Sequence, residues 1–159
     1  MSFVRYLGVD FGRRRIGLAL SDASATIASP WRAVSAGDSP LESARRIVAA
    51  LDVLDDPLGV DAPVGAIVVG LPRRLDGSDN DATAPARELV AALQTLTGVA
   101  VHLQDERLTS REAEALLAER EPDWRRRKAR VDATAAALIL QDHLDARVRS
   151  AAGNGRTDA

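Results

Sequence analysis

The chain has 159 residues, enough for one compact domain and too few for two of ordinary size. Hydrophobic residues make up 46% and charged residues 28%, a globular balance, and with only 3% aromatics the core must be filled by aliphatic side chains. The absence of cysteine excludes disulfides, thiolate zinc sites, iron–sulfur clusters and a cysteine nucleophile, and a net charge of −2 gives no global attraction to nucleic acid, so any such surface must come from local clusters of arginine and lysine.

The N-terminus has no signal-peptide pattern, and no apolar run approaches the roughly 20 residues needed to span a bilayer. A cytoplasmic protein with no membrane partner is therefore expected. Phe3 to Asp10 reads as a strand and Ile16 to Ser21 as a second. The intervening DFGRRR is short enough for a hairpin, with Gly12 available for a positive φ. Thr26 to Val34 reads as a third strand, and Pro30 suits it to a sheet edge or a bulge. Ser39-Pro40-Leu41-Glu42 carries a capping residue, a first-turn proline and a capping-box glutamate, opening a helix expected to end near Asp55-Asp56-Pro57.

Ala66 to Val69 is a continuous apolar run, as in a strand buried on both faces and parallel to a neighbour. RRLDGSDND after it is a polar loop. Pro85 to Leu96 reads as a second helix and Val99 to Leu103 as a strand; this alternation indicates crossover connections in an α/β sheet. Thr109-Ser110-Arg111-Glu112 is a second capping box, predicting a short helix through Leu117 that Glu121-Pro122-Asp123 ends. Val131 to about Val148 reads as the last helix. One domain over residues 1–148 is predicted, with 149–159 as a disordered tail.

Three acidic residues fall at element ends: Asp10 ending the first strand, Glu106 following the late strand in Gln104-Asp105-Glu106-Arg107, and Asp132 at the expected start of the final helix. Sites in open sheets form beyond the carboxyl ends of strands. If the strands of Asp10 and Glu106 are adjacent and parallel, their carboxylates share one edge, and a helix packed nearby can add Asp132. Such a group of carboxylates repels itself unless a hard cation such as Mg²⁺ or Mn²⁺ offsets the charge, and a pair of such ions is suited to phosphodiester cleavage. Singly, each residue also has a plain structural reading: a turn aspartate, a solvated Asp105-Glu106 pair, a charge at a helix N-terminus. The functional reading depends on convergence.

Basic clusters lie beside these acids: Arg13-Arg14-Arg15, Arg73-Arg74, Arg107, and Arg125-Arg126-Arg127-Lys128 with Arg130. Arg13, Arg14, Arg15, Arg73, Arg74, Arg107, Arg127, Lys128 and Arg130 are candidate phosphate contacts, although runs such as 125–130 are often only solvated loops. His102 and His143 are expected to be isolated, one half-buried on a strand and one on a helix surface, neither a ligand. Ser21 has no identifiable His–Asp partners for nucleophilic catalysis.

Four ordered motifs, GVDFGRRRIGLALSD from Gly8, IVVGLPRRLDGSDN from Ile67, DERLTSREAEALL from Asp105 and KARVDATAAALILQDHL from Lys128, resemble those of the YqgF/RuvX family of RNase H-like nucleases, over roughly residues 3 to 145. The resemblance implies an RNase H-like fold: a five-stranded mixed sheet, three antiparallel strands first, flanked by helices. It places the family's three acidic positions on Asp10, Glu106 and Asp132. It also selects Glu106 over Asp105, which strand alternation sends to the opposite face. It implies processing of the 5′ end of pre-16S ribosomal RNA by a Mg²⁺- or Mn²⁺-dependent endonuclease, or, as an alternative, cleavage of four-way Holliday junctions. The junction reading requires a two-fold homodimer, since two strands are cut symmetrically. Two other classes compete. Asp10-Phe11-Gly12 with Gly17 is similar to a phosphate loop of the actin and sugar-kinase superfamily, whose members clamp ATP between two domains where this chain supplies one. A non-catalytic nucleic-acid-binding module would need the arginines and not the carboxylates.

Overall fold

The computed structural model describes residues 4–54, 63–72, 83–106 and 124–154. Five strands, β1 (Arg5–Phe11), β2 (Arg15–Ser21), β3 (Ala28–Ser35), β4 (Val64–Pro72) and β5 (Ala100–Glu106), form one sheet in the order β3-β2-β1-β4-β5. The first three are antiparallel neighbours, and β1, β4 and β5 run parallel. This is the mixed sheet expected of an RNase H-like fold. Helices α1 (Pro40–Asp52) and α2 (Thr83–Thr97) cover one face and α3 (Trp124–Asn154) the other.

Alternation along the strands divides the core in two. Leu7, Val9, Ile16, Leu18, Ile67 and Val69 pack with Ile47 of α1 and with Leu89 and Leu93 of α2. On the other face, Tyr6, Ala19, Ala66 and Val68 meet Ala136, Ile139, Leu140 and Leu144 of α3. The second face is built from smaller residues, so α3 lies close to the sheet. A Cβ added at Gly8 would come within 2.8 Å of the Ala136 carbonyl oxygen and of Leu140 Cβ.

The local signals behave as their chemistry requires. Ser39 Oγ accepts from the Glu42 amide at 3.1 Å, with Pro40 in the first turn. The Glu42 carboxylate lies beside Arg45 and Arg46. α1 closes at Asp52, short of the expected Asp55, where the Leu54 amide turns back to the Leu51 carbonyl at 3.1 Å. Pro30 lies on edge strand β3, where the pairing skips one residue between Leu18↔Arg32 and Ala19↔Pro30. β4 is an interior strand, parallel to both neighbours. α2 passes into β5 through Gly98, whose φ of +70° suits glycine.

Some expectations are corrected. Gly12 does not adopt a positive φ; it is needed because the Arg15 carbonyl, which accepts from the Gly12 amide at 3.0 Å, would sit 2.5 Å from a Cβ there. α3 begins at Trp124, so residues 125–130 are helical and not a loop. It also continues through residues 149–154, where Ala151 and Ala152 favour helix before Gly153. The helix expected at Thr109–Leu117 falls outside the described residues, and so does the loop after β4. Among the described residues no helix is long and apolar enough to cross a membrane.

His102 and His143 are not isolated. Their ring centroids lie 5.0 Å apart, and His143 is 6.0 Å from the Tyr6 ring, itself covered by the Arg147 guanidinium at 4.7 Å. The expected exposures are also reversed in kind: His102 is exposed because β5 is an edge strand, and His143 is the half-buried one because α3 lies flat on the sheet. Its Nε2 is buried and meets no hydrogen-bond partner among the described residues. Burial, then the nearby His102 and Arg147, hold its pKa below the ordinary 6.5. Folding therefore favours neutral His143. Its contribution is fully present above pH 6.5 and is lost as pH falls through the lower folded-state value. Urea unfolding at pH 7.5 and 5.0 is expected to show a larger acid-side loss of stability in the wild type than in His143→Gln; equal losses contradict this account.

Candidate functional site

Asp10 stands next to the end of β1 and is half-buried. It is paired across the hairpin with Gly17. Both belong to the alternation set of Gly8, and so to the face that α3 covers. At Gly17 the helix reaches the sheet backbone: a Cβ added there would fall 1.9 Å from the carbonyl oxygen of Asp132 and 2.3 Å from its carbonyl carbon. Asp10 and Asp132, separated by 122 residues in sequence, are therefore brought to one place by a glycine (132 − 10).

Asp132 is not at the start of its helix. It is the ninth residue of α3 (132 − 124 + 1), more than two turns in. That removes its reading as a helix N-terminal charge, because the dipole effect falls off within the first turn. Its carboxylate is about a quarter exposed and lies 3.9 Å from the Arg15 guanidinium. β2 thus engages Asp132 twice, through the Arg15 side chain and the bare Gly17 backbone, both on the same face of the strand.

Glu106 is the last residue of β5 and pairs with Pro72. It shares the period-two set of His102 and Gln104, whereas Asp105, paired with Leu71, belongs to the other. The strands of Asp10 and Glu106 are parallel but not adjacent: β4 runs between them. Their strands are two spacings apart, about 10 Å, and Glu106 stands two residues beyond Gln104, which is at the level that follows Val9, Val69 and Leu103. They end at the same edge of the sheet.

The arginines divide. Arg13 and Arg14 are exposed at the tip of the β1–β2 hairpin, one turn away from Asp10. The Arg14 carbonyl accepts from the Ala36 amide at 2.9 Å, which ties the tip to the end of β3. Arg15 faces Asp132. Arg127, Lys128 and Arg130 fall in the first two turns of α3, ahead of Asp132. Arg73, Arg74 and Arg107 lie outside the described residues.

The donors can be tested against a divalent ion. Asp10 and Asp132 offer hard carboxylate oxygens, the ligand type that suits Mg²⁺ or Mn²⁺. The Arg15 guanidinium stands 3.9 Å from the Asp132 carboxylate. Among the described residues no three His, Asp or Glu side chains gather into a metal-binding group, so the fit rests on this pair with Glu106 at the shared edge.

Other polar residues of the first motif are structural. Ser21 Oγ accepts from the Tyr6 amide at 2.8 Å and donates to the Asp22 carbonyl at 2.9 Å, so it is no nucleophile. Asp22 caps the β2–β3 turn, accepting from the Thr26 amide at 2.8 Å, the Ile27 amide at 3.0 Å and the Ser24 hydroxyl. Desolvation alone would raise its pKa; these donors outweigh it and hold the carboxyl below 3.8. This turn adjoins the beginning of β1, at the opposite end of the strand from Asp10. Gly17 is the residue whose role was missed, although an isolated glycine inside a strand is itself a signal of close backbone approach.

A family model described as "RuvX: Holliday junction resolvase" matches residues 4–146. A "Putative pre-16S rRNA nuclease" of an Anaeromyxobacter species is 43% identical over 144 residues, covering 91% of this chain and 98% of that one. A protein of the same name from a Nocardioides species is 40% identical over 150 residues, covering 94% and 92%. The solved structure of Thermus thermophilus RuvC in complex with a Holliday junction substrate is similar with a TM-score of 0.48 and 18% identity, over 91% of this chain and 96% of that one.

Because Asp22 holds a turn remote from Asp10, Asp22→Ala is expected to lower the melting temperature by several degrees, equivalent to about 1–2 kcal/mol. Cleavage per folded molecule should stay at the wild-type level. A specific loss of turnover with no loss of stability contradicts the structural assignment.

Proposed function

This chain belongs to the RuvX family, and from that premise we propose that it is a divalent-metal-dependent endonuclease of structured nucleic acid whose substrate is the 5′ end of precursor 16S ribosomal RNA. The observation that carries the reading is the meeting of Asp10 and Asp132 across Gly17 at the carboxyl end of the sheet. The names of the relatives favour ribosomal RNA, and that of the family favours a four-way DNA junction as the second reading.

In this reading Asp10, Asp132 and Glu106 are the ligands of Mg²⁺ or Mn²⁺. The ion supplies Lewis-acid stabilisation of the charge that develops on phosphodiester oxygens. Asp10, fixed in a strand of the rigid sheet, sets the reaction's position relative to the fold. Arg15 orients the Asp132 carboxylate. Arg13 and Arg14, exposed on the hairpin, bind backbone phosphates and align the strand to be cut. Arg127, Lys128 and Arg130, in the first two turns of α3, are proposed as further phosphate contacts. For a junction, two such sites must act together in a two-fold dimer.

The test is cleavage, with Mn²⁺ or Mg²⁺, of a pre-16S 5′-leader fragment, unstructured RNA, duplex DNA and a four-way junction. Leader cleavage that falls about 100-fold or more in Asp10→Asn, with RNA binding retained, supports the proposal. Paired symmetric cuts in the junction alone move the substrate to DNA. RNA binding with no cleavage by the wild type identifies a binding module. Millimolar Mn²⁺ should raise the melting temperature of the wild type, and Asp10→Asn should blunt that rise. Arg13→Ala with Arg14→Ala should raise KM for RNA and flatten its salt dependence while leaving the metal response intact; an unchanged salt slope removes the hairpin from the interface.

A further inference from the structure

Gly17 has no side chain with which to hold a metal ion, yet it lies between the two acids: Asp10 is its partner in the ladder and the Asp132 backbone lies over it. It is the register partner of Asp10 in β2, and its Cα faces the backbone of Asp132. Both atoms that a methyl group would strike there, the carbonyl oxygen at 1.9 Å and the carbonyl carbon at 2.3 Å, are helix backbone. Flexible side chains could swing aside from such a contact; a hydrogen-bonded helix turn cannot. The neighbouring contact at Gly8 is looser, at 2.8 Å, and half of it is the Leu140 side chain. Of these two close approaches, the tighter is the one at the residue that bears the carboxylate. Arg15, two positions earlier on the same face of β2, holds that carboxylate at 3.9 Å.

We infer that Gly17 is a positioning residue of the metal site: by admitting the α3 backbone to the sheet it sets the spacing between the Asp10 and Asp132 carboxylates. This rests on the reading of those two residues as metal ligands. A methyl group at Gly17 must lift α3 at Asp132 by an ångström or more, while β1 and its Asp10 stay in place. Two ligands held by different elements then lose the separation one ion requires. Ligand misplacement of that size costs on the order of 100-fold in turnover. The phosphate-binding arginines of the hairpin tip stay where they are, so substrate affinity is spared.

The experiment compares wild type, Gly17→Ala, Asp10→Asn and Asp22→Ala. Mn²⁺ binding is read on the free protein by electron paramagnetic resonance, folding by circular dichroism, and kcat and KM on the RNA leader. Gly17→Ala is expected to remain folded, to bind Mn²⁺ about 10-fold more weakly, to lose about 100-fold in kcat, and to change KM by less than about 3-fold. Asp22→Ala, destabilised at the far end of the strand, should bind Mn²⁺ as the wild type does. That contrast separates a spacing effect from general loss of stability. A folded Gly17→Ala protein with wild-type Mn²⁺ affinity and kcat overturns the inference while leaving the nuclease reading standing. Wild-type protein that binds no Mn²⁺, or binds it equally well as Asp10→Asn, overturns both. Should Gly17→Ala not fold, Gly8→Ala, which lifts the same helix about one turn further on, is expected to weaken Mn²⁺ binding by a smaller factor in the same direction; unchanged affinity there would falsify the spacing role.

Discussion

The structure depends on how closely one helix can approach one face of a sheet. α3 lies across β1 and β2 where Gly8 and Gly17 present no side chain and Ala19 only a methyl. An ordinary helix–sheet contact between large aliphatic residues holds the two backbones about 10 Å apart. Here the helix carbonyls come down onto strand Cα atoms. The opposite face shows the contrast: β1 and β2 present Leu7, Val9, Ile16 and Leu18 to α1 and α2, side chains with bulk between helix and sheet.

That asymmetry explains why the polar chemistry sits on one side. Asp10 is in the same alternation set as Gly8, so it points into the thin layer, where the helix delivers Asp132. On the thick side, a carboxylate at the level of Asp10 would be buried among Val9 and Phe11 neighbours and would cost several kcal/mol unless neutralised. On the thin side the pair remains partly open to solvent, with the Arg15 guanidinium beside it. The parallel strands β4 and β5 extend the same edge to Glu106. At the other end of the sheet, His143 of the same helix lies against the Tyr6 and His102 rings, and that end is shaped by ring contacts and burial.

Much of this was legible. The Ser39-Pro40-Glu42 signal opened a helix because capping is local chemistry, and Pro30 lay on an edge because it lacks a donor for the ladder. The apolar run at Ala66–Val69 was an interior parallel strand because burial on both faces leaves no polar alternation. The placement of Asp132 was not legible. The basic run before it looked like a boundary, yet it is helical, since arginine and lysine are good helix formers. The histidine pair was likewise invisible: His102 and His143 are 41 residues apart (143 − 102), and only the crossing of α3 over β5 sets them together.

By itself, the sequence determined the elements that rest on neighbours in the chain: caps, turns, strand alternation, and the position of Asp10 and Glu106 at strand ends. Periodicity and capping act over a few residues, so a linear reading captures them. Only the tertiary structure decided which acids meet, that β4 separates the strands of Asp10 and Glu106, and that Gly17 is the seat of Asp132. Those outcomes come from the distance between a helix and a sheet. That distance is set by the bulk of every residue between them, and in this chain by the absence of bulk at two glycines.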